Sequence, residues 1–203
     1  MESIYGEYEP VLIRIKEEVE KRFNEYQEKV LQETGEKGFE HLSVRIKTDE
    51  SMREKCRRKG VPETTESALV TLKDAIGVRV VCSFVDDVFK AAEYIKNMEG
   101  CEVIEEKDYI RHAKPNGYRS YHIILAVHPN SKDVLGNVPG TYYIELQLRT
   151  IAMDTWAALE HKMKYKKDIP NQNILVSELK RVADELASCD LSMQTIRELI
   201  DTL

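Results

Sequence analysis

Residues 142–164, YYIELQLRTIAMDTWAALEHKMK, combine a strand pattern with a helix pattern, and the rest of the fold is interpreted around them. The first half alternates, which predicts a strand with one aliphatic face and one polar face. The aliphatic face contains Ile144, Leu146 and Leu148, and the polar face contains Tyr143, Glu145, Gln147 and Arg149. After Thr150 the spacing becomes helical, with apolar positions at Ala152, Trp156, Leu159 and Met163. A polar strand face that leads into a helix N-terminus is suited to an anionic ligand.

The length and composition indicate an ordinary globular protein. A chain of 203 residues favours one domain with helical extensions, and 42% hydrophobic with 33% charged residues is a typical balance. The chain has no apolar run of membrane-spanning length and no signal-peptide pattern, so we expect a cytoplasmic protein with no membrane partner. The four cysteines are scattered without a CxxC pair, which predicts reduced thiols.

Positive charge is concentrated in two segments, 45–59 and 107–119, although the net charge of the chain is −6. The acidic balance argues against broad nucleic-acid binding as the whole function. Local basic clusters in an acidic protein favour a pocket for a compact polyanion. A solvated charged face is the alternative interpretation of each cluster taken alone.

Hydrophobic periodicity predicts amphipathic helices at both ends of the chain, over residues 8–33 and 173–203. Four further strands and three internal helices are predicted between them. The strands are 41–47, 76–84, 102–110 and 118–128, and the helices are 49–59, 63–73 and 86–99. The fold class is therefore α+β or α/β, with a mixed five-stranded sheet flanked by helices. The tail helix either packs on its own sheet or forms an oligomer interface, and both interpretations stay open.

Polar residues collect on one face of the predicted sheet. They are Arg45, Lys47, Asp74, Arg79, Tyr118, Ser120, His122, Glu145, Gln147 and Arg149. Two carboxylates among several cations are what Mg²⁺-dependent phosphoryl or nucleotidyl transfer requires, and an aromatic side chain can stack a base. The P-loop signature is absent. The pattern predicts a nucleotide or polyphosphate site that uses Mg²⁺.

Four of these residues also have purely structural interpretations. Asp74 could be a turn residue, and Glu145 could pair with a neighbouring arginine. Tyr118 could begin a hairpin strand, and His122 could be a hydrogen-bonded sheet residue.

Four stretches, in this order, closely resemble the synthetase domain of the RelA/SpoT family. They are RIKTDESMREKCRRKG, LKDAIGVRVVCSF, KDYIRHAKPNGYRSYHIIL and YIELQLRTIAMDTWAALEHKMKYK. The length and the missing hydrolase segment resemble the small alarmone synthetases. The resemblance covers residues 39–167, so it implies a nucleotidyltransferase-like synthetase domain there, between helical extensions at 1–38 and 168–203.

The resemblance implies an activity and a site. The family transfers pyrophosphate from ATP to the ribose 3′-hydroxyl of GDP or GTP, which gives ppGpp or pppGpp. By matching motifs, Asp74 and Glu145 would hold Mg²⁺, and Glu145 would also take the 3′-hydroxyl proton. The cations that would bind ATP are Arg45, Lys47, Lys55 and Arg79, with Arg58 or its neighbour Arg57 as a further candidate. The residues that would bind GDP or GTP are Lys114, Tyr118, His122 and Gln147.

Asp154 is a candidate for guanine recognition. A carboxylate can accept from both the N1–H and the exocyclic amine of guanine, and adenine has no matching donor pair. The structural alternative is an acidic residue favoured by the dipole of its helix. Family resemblance also favours a homo-oligomer, specifically a tetramer, and RNA is a candidate regulator.

Two rival functions stay open at this point. One keeps the fold and transfers pyrophosphate to tRNA 3′ ends or adenosine nucleotides, although the net charge of −6 argues mildly against an extended tRNA surface. The other is a catalytically silent module that senses nucleotides or binds RNA. Such a module is expected to lack Asp74 or Glu145, and both are present.

Overall fold

The computed structural model describes residues 3–164 and 172–203, and its centre is a mixed five-stranded sheet. The strands are β1 (His41–Ile46), β2 (Ile76–Cys82), β3 (Cys101–Asp108), β4 (Tyr121–Val127) and β5 (Tyr142–Thr150). Their order across the sheet is β1-β2-β5-β4-β3, and within the described chain β2 with β5 is the parallel pairing. The predicted fold class is confirmed.

Five longer helices surround this sheet in the described chain. They are α1 (Glu9–Thr34), α2 (Asp49–Lys59), α3 (Val85–Lys96), α4 (Ile151–Lys164) and α5 (Gln172–Thr202). Thr48 caps the N-terminus of α2, and its hydroxyl accepts a hydrogen bond from the backbone N–H of Ser51 at 3.3 Å. The helix predicted at 63–73 is reduced to one π-helical turn, Ser67–Thr71.

One face of the sheet is mainly apolar and forms the core with α1 and α3. Val78, Leu146 and Ile123 lie side by side on adjacent strands and are almost completely buried. Phe23 of α1 and Ile95 of α3 belong to the same buried cluster. Burying each large aliphatic side chain contributes about 1.5–3 kcal/mol, so this face determines which way β5 is oriented. The polar face of β5 is then directed away from the core.

Helix α4 packs against the first half of α5 in a second apolar cluster. Trp156 is buried there with Leu179 and Ala183, and its indole N–H donates to the carbonyl of Leu179 at 2.8 Å. The prediction that Leu159 lies on the buried side of α4 is wrong, because Leu159 is exposed. The buried side instead runs through Met153 and Trp156, about one residue around the helix, since α5 covers that side.

The second half of α5 exposes a series of apolar side chains. They are Leu191, Met193, Ile196, Leu199 and Ile200, each at least half exposed. The predicted amphipathic tail therefore packs on α4 through its first half, contacts α3 through Gln194 and Arg197 in its second half, and exposes apolar side chains in that second half. The predicted segment boundary between residues 167 and 168 lies outside the described residues.

Among residues 3–164 and 172–203, no helix combines the length and the apolar character that crossing a membrane requires.

Candidate active site

Strand pairing aligns the polar residues of the sheet into rows on its non-core face. One row contains Arg45, Gly77, Glu145, Ile124 and Glu105. The next row, two residues along each strand, contains Ser43, Arg79, Gln147, His122 and Lys107. Side chains two positions apart on a strand share a face, so both rows are directed to the same side. This shared side confirms that residues far apart in sequence form one surface.

A cleft of about 430 Å³ lies over the β1, β2 and β5 part of this surface. The predicted residues that line it are Arg45, Lys47, Lys55, Arg58, Asp74, Arg79, Glu145 and Gln147. The choice between Arg57 and Arg58 is decided by helix α2. Arg57 pairs with Glu63 at 2.9 Å, and Arg58 lines the cleft. The cleft is strongly cationic, which suits a polyphosphate.

Asp74 is the most deeply buried charged residue of this cleft, with 4% of its surface exposed. Its Oδ2 accepts from the ammonium groups of Lys47 and Lys55. Its Oδ1 is also buried, and no residue within 3–164 or 172–203 donates to that oxygen. An unsatisfied carboxylate oxygen in a cavity is costly unless a cation or a donor from a ligand completes it.

Gly77 leaves the floor of the cleft open between Arg45 and Glu145. A Cβ built at Gly77 would meet no atom of the described chain within 4 Å. Glycine in a strand interior weakens the strand but allows a ligand to approach the sheet closely. The sequence reasoning missed Gly77, and the signal that could have found it is an isolated glycine inside an apolar strand pattern.

An aromatic and imidazole cluster adjoins the cleft on the β4 side. Tyr118 contacts three rings edge-on, those of Tyr109, His122 and Trp156, at centroid distances of 5.8–6.2 Å. The ammonium of Lys114 lies 4.9 Å from the Tyr118 ring centroid. The candidate acceptor residues Lys114, Tyr118 and His122 are thus brought together.

His122 is held neutral in this cluster. Burial, together with the nearby positive charges of Arg149, Lys114 and Lys107, lowers its pKa from 6.5 to about 3. Tyr118 Oη accepts from Arg149 Nη2 at 2.8 Å and lies 2.7 Å from His122 Nε2. The phenol oxygen is thus held by the guanidinium of Arg149 on one side and by the neutral imidazole of His122 on the other.

Two predictions about the approach to β4 are wrong. The strand starts at Tyr121, so Tyr118 and Ser120 precede it, and Ser120 is buried with its hydroxyl donating to the Leu148 carbonyl at 3.1 Å. The physical reason is Gly117, whose φ of +89° ends the turn and would strain another residue. Its Cα packs so closely on α5 that an added Cβ would lie 2.5 Å from the Ala183 Cβ.

Asp154 is in the first turn of α4, as predicted, and is paired within the protein. Its Oδ1 accepts from Arg149 Nη1 at 2.9 Å and lies 3.6 Å from Arg79 Nε. Two residues here carry no predicted site role. Sequence alternation places Arg149 on the polar face of β5, and His161 lines the cleft.

A mixed sheet that joins a buried carboxylate, a cationic cleft and an aromatic cluster defines a nucleotide-binding, phosphoryl-transfer class of site. The chain is 39% identical to the GTP pyrophosphokinase YwaC of Bacillus subtilis strain 168, over 82% of this chain and 78% of that protein. It is 34% identical to the GTP pyrophosphokinase YjbM of the same organism, over 78% of this chain and 72% of that protein.

Two further comparisons agree. The family described as the region found in RelA / SpoT proteins matches residues 44–170. The solved structure of small alarmone synthetase 1 from Bacillus subtilis, bound to its product pppGpp, superposes with a TM-score of 0.80 at 29% identity, over 93% of this chain and 94% of that one. This chain belongs to the RelA/SpoT family.

Proposed function

We propose that the protein transfers the pyrophosphoryl group of ATP to the ribose 3′-hydroxyl of GDP or GTP, and so makes ppGpp or pppGpp. The observation that carries this proposal is one sheet face on which a cationic cleft with a buried carboxylate adjoins an aromatic cluster. The similarity to two GTP pyrophosphokinases and to a pppGpp-bound synthetase supports the same activity. No observation favours tRNA or adenosine nucleotides as acceptors over guanosine nucleotides.

The cationic cleft is proposed to bind ATP. Arg45, Arg79 and Arg58 come from β1, β2 and α2, so they surround the cleft from three elements. Guanidinium groups bind phosphate oxygens in pairs, and their charge offsets the charge that develops on the transferring group. Lys47 and Lys55 are oriented by Asp74, which keeps both ammonium groups at the same end of the cleft.

Asp74 and Glu145 are proposed to hold Mg²⁺. The buried Asp74 Oδ1, which lacks a donor within residues 3–164 and 172–203, fits a cation ligand. The described residues contain no group of three or more His, Cys, Asp or Glu side chains that could hold a metal alone. This is the usual situation for Mg²⁺, which takes one or two carboxylates and completes its shell with water and substrate phosphates. When bound, the ion supplies neutralisation of phosphate charge.

Glu145 is proposed to receive the proton of the acceptor 3′-hydroxyl. The 3′ oxygen forms a bond to the β-phosphorus of ATP, the bond from that phosphorus to the α–β bridging oxygen breaks, and AMP leaves. Glu145 lies in one row with Arg45 and next to the row of Gln147 and His122, between the proposed donor and acceptor sites. Its neighbour Gln147 donates to Glu145 Oε2 at 3.4 Å, which helps to fix its orientation.

The aromatic cluster is proposed to bind the acceptor. Tyr118 would stack guanine, and Lys114 would contact the acceptor phosphates as a cation. His122 would act there as a neutral hydrogen-bonding group, because its pKa is lowered to about 3. Asp154 would accept from the guanine N1–H and amine. Adenine has no matching donors and would leave this carboxylate unpaired, so binding of adenine would be disfavoured.

We also propose that the protein is a homo-oligomer, with a tetramer as the favoured state. The exposed apolar residues on the second half of α5, such as Leu199 and Ile200, support this proposal. Light scattering on the full chain would measure the state. RNA as a regulator and cytoplasmic location stay predictions.

The test uses purified protein, Mg²⁺ and ATP labelled at the β-phosphate, with GDP, GTP, ATP and bulk tRNA as separate acceptors. Label is expected on GDP or GTP. The matched control is Glu145→Gln, which keeps shape and hydrogen bonding but removes the charge, and it should abolish transfer. Label on tRNA or on adenosine nucleotides would show that the proposed acceptor is wrong. Absence of transfer to every acceptor would overturn it.

A further inference from the structure

Arg149 is a buried arginine at the end of β5, with 5% of its surface exposed. All of its guanidinium nitrogens donate within the protein. Nε donates to Ser120 Oγ at 3.3 Å, and Nη1 donates to Asp154 Oδ1 at 2.9 Å. Nη2 donates to both Tyr118 Oη at 2.8 Å and Gln147 Oε1 at 3.0 Å. A planar guanidinium with five N–H donors can serve these directions at once, and an ammonium cannot.

The partners of Arg149 lie on different elements. Gln147 is on β5, Asp154 is on α4, and Tyr118 lies in the loop before β4. These are three of the residues proposed above to bind the guanosine acceptor. A guanidinium that served only to pair with one carboxylate would need Asp154 alone. Here the same group ties the carboxylate proposed to read the guanine edge to the ring proposed to stack its face.

The two cation contacts of Asp154 go to the same oxygen. Arg149 Nη1 and Arg79 Nε both contact Oδ1, at 2.9 and 3.6 Å. The Arg149 contact is a hydrogen bond and the 3.6 Å approach of Arg79 is not, so one of the two lone pairs of Oδ1 can still accept from a ligand, and the pairing fixes the direction of Oδ2. The side chain is 26% exposed, so a ligand can reach it.

We propose that Arg149 is a positioning residue that sets guanine specificity by fixing Asp154 and Tyr118 relative to each other. This inference rests on the proposed function, because it assigns the acceptor base to that site. Arg149 acts through its partners and not by touching the base. Replacing its planar guanidinium should therefore reduce discrimination among bases more than it reduces binding of ATP.

The test measures binding, without turnover, through Trp156. This is the single tryptophan of the sequence, and its ring centroid lies 6.2 Å from that of Tyr118, so its fluorescence should report acceptor stacking. GDP is compared with inosine diphosphate, which retains the N1–H and lacks the exocyclic amine. Wild-type protein should prefer GDP. Arg149→Lys keeps the positive charge and loses the planar set of N–H donors. It should lower the preference for GDP over inosine diphosphate about tenfold, which corresponds to the loss of one hydrogen bond to a charged group.

Two controls separate positioning from a general structural role. Affinity for ATP should change by less than about twofold, because Asp74, and not Arg149, holds the proposed ATP cations Lys47 and Lys55. In a double-mutant cycle with Asp154→Asn, the two losses of GDP preference should not add, because Arg149 acts through Asp154. Equal weakening of GDP and inosine diphosphate, or additive losses, would overturn the proposal.

A second variant keeps the test decisive if Arg149→Lys does not fold. Tyr118→Phe retains the stacking ring and removes the phenol oxygen that Arg149 holds. It should lower the GDP preference several-fold, although the phenol is not proposed to touch the guanine edge. An unchanged preference would overturn the proposal. Wild-type protein that transfers no label to GDP would instead refute the proposed function, whatever the variants show.

Discussion

Gly77 offers a direct test of the proposal that ATP lies on the sheet between Arg45 and Glu145. Gly77→Val adds a side chain into the cleft, where an added Cβ would meet no atom of the described chain within 4 Å. Glycine in a strand interior costs about 0.5–1 kcal/mol relative to alanine, and valine is favoured in strands. We therefore expect Gly77→Val to leave stability unchanged or to increase it by up to about 1 kcal/mol.

The same substitution should strongly reduce activity. The cleft has a volume of about 430 Å³, and Gly77 is at the centre of its floor, in the row that joins Arg45 to Glu145. A displacement of reacting groups by about 1 Å can lower the rate about 100-fold. We expect a loss of at least that size for Gly77→Val and a smaller loss for Gly77→Ala.

The assay combines thermal unfolding, labelled pyrophosphate transfer and GDP binding. A stability gain of about 1 kcal/mol would raise the Tm by about 2–4 °C in a chain of this size. GDP binding, followed by Trp156 fluorescence, should be unchanged because the acceptor cluster lies on the β4 side. Transfer by Gly77→Val within twofold of wild type would refute the reasoning. A clear fall in Tm would show that the floor is not open.

Three further predictions concern charge, pH and the acceptor loop. Asp74→Asn should lower the rate of transfer about 100- to 1000-fold, since the metal loses one charged ligand. It should also raise the Mg²⁺ concentration needed for the half-maximal rate, and an unchanged Mg²⁺ dependence would exclude Asp74 as a ligand. The folded pKa of His122, about 3, lies below its ordinary value of 6.5, so the unfolded chain binds the extra proton between these pH values. Stability should therefore fall as pH drops below 6.5, by at most about 1.4 kcal/mol per pH unit, and urea unfolding of His122→Gln should show a flatter pH dependence than wild type. Gly117→Ala should raise the KM for GDP more than the KM for ATP, because a Cβ there would lie 2.5 Å from the Ala183 Cβ. Adding Ala183→Gly to this variant should reverse only the part of the KM increase that is due to that contact.

Much of the donor side could be predicted from local patterns. The alternation of 142–150 orients Glu145 and Gln147 opposite to Leu146. Because the aliphatic face must be buried, the strand has one possible orientation, with Glu145 and Gln147 directed away from the core. The same reasoning works for Arg45 on β1. Helical spacing left Arg57 and Arg58 undecided, because adjacent residues on a helix differ by only 100°. The pairing of Arg57 with Glu63 decides between them.

Other features depended on contacts that local spacing does not report. Alternation predicts that Ser120 shares a face with His122, but the strand begins only at Tyr121, after the turn held against α5. Leu159 matched a helical stripe and is exposed, since α5 covers a side rotated by about one residue.

By itself, the sequence determined the faces of β1 and β5, the glycine ends of α1 and α2 and the motifs that identify the family, because these depend on residues close together along the chain. Only the tertiary structure decided that Lys47 and Lys55 share Asp74, and that Arg149 holds Tyr118 and Asp154 together. The sheet order β1-β2-β5-β4-β3 brings these residues into contact across sequence separations that reach 31 positions. Burial and pairing across such distances depend on how the elements pack, and no local periodicity encodes that packing.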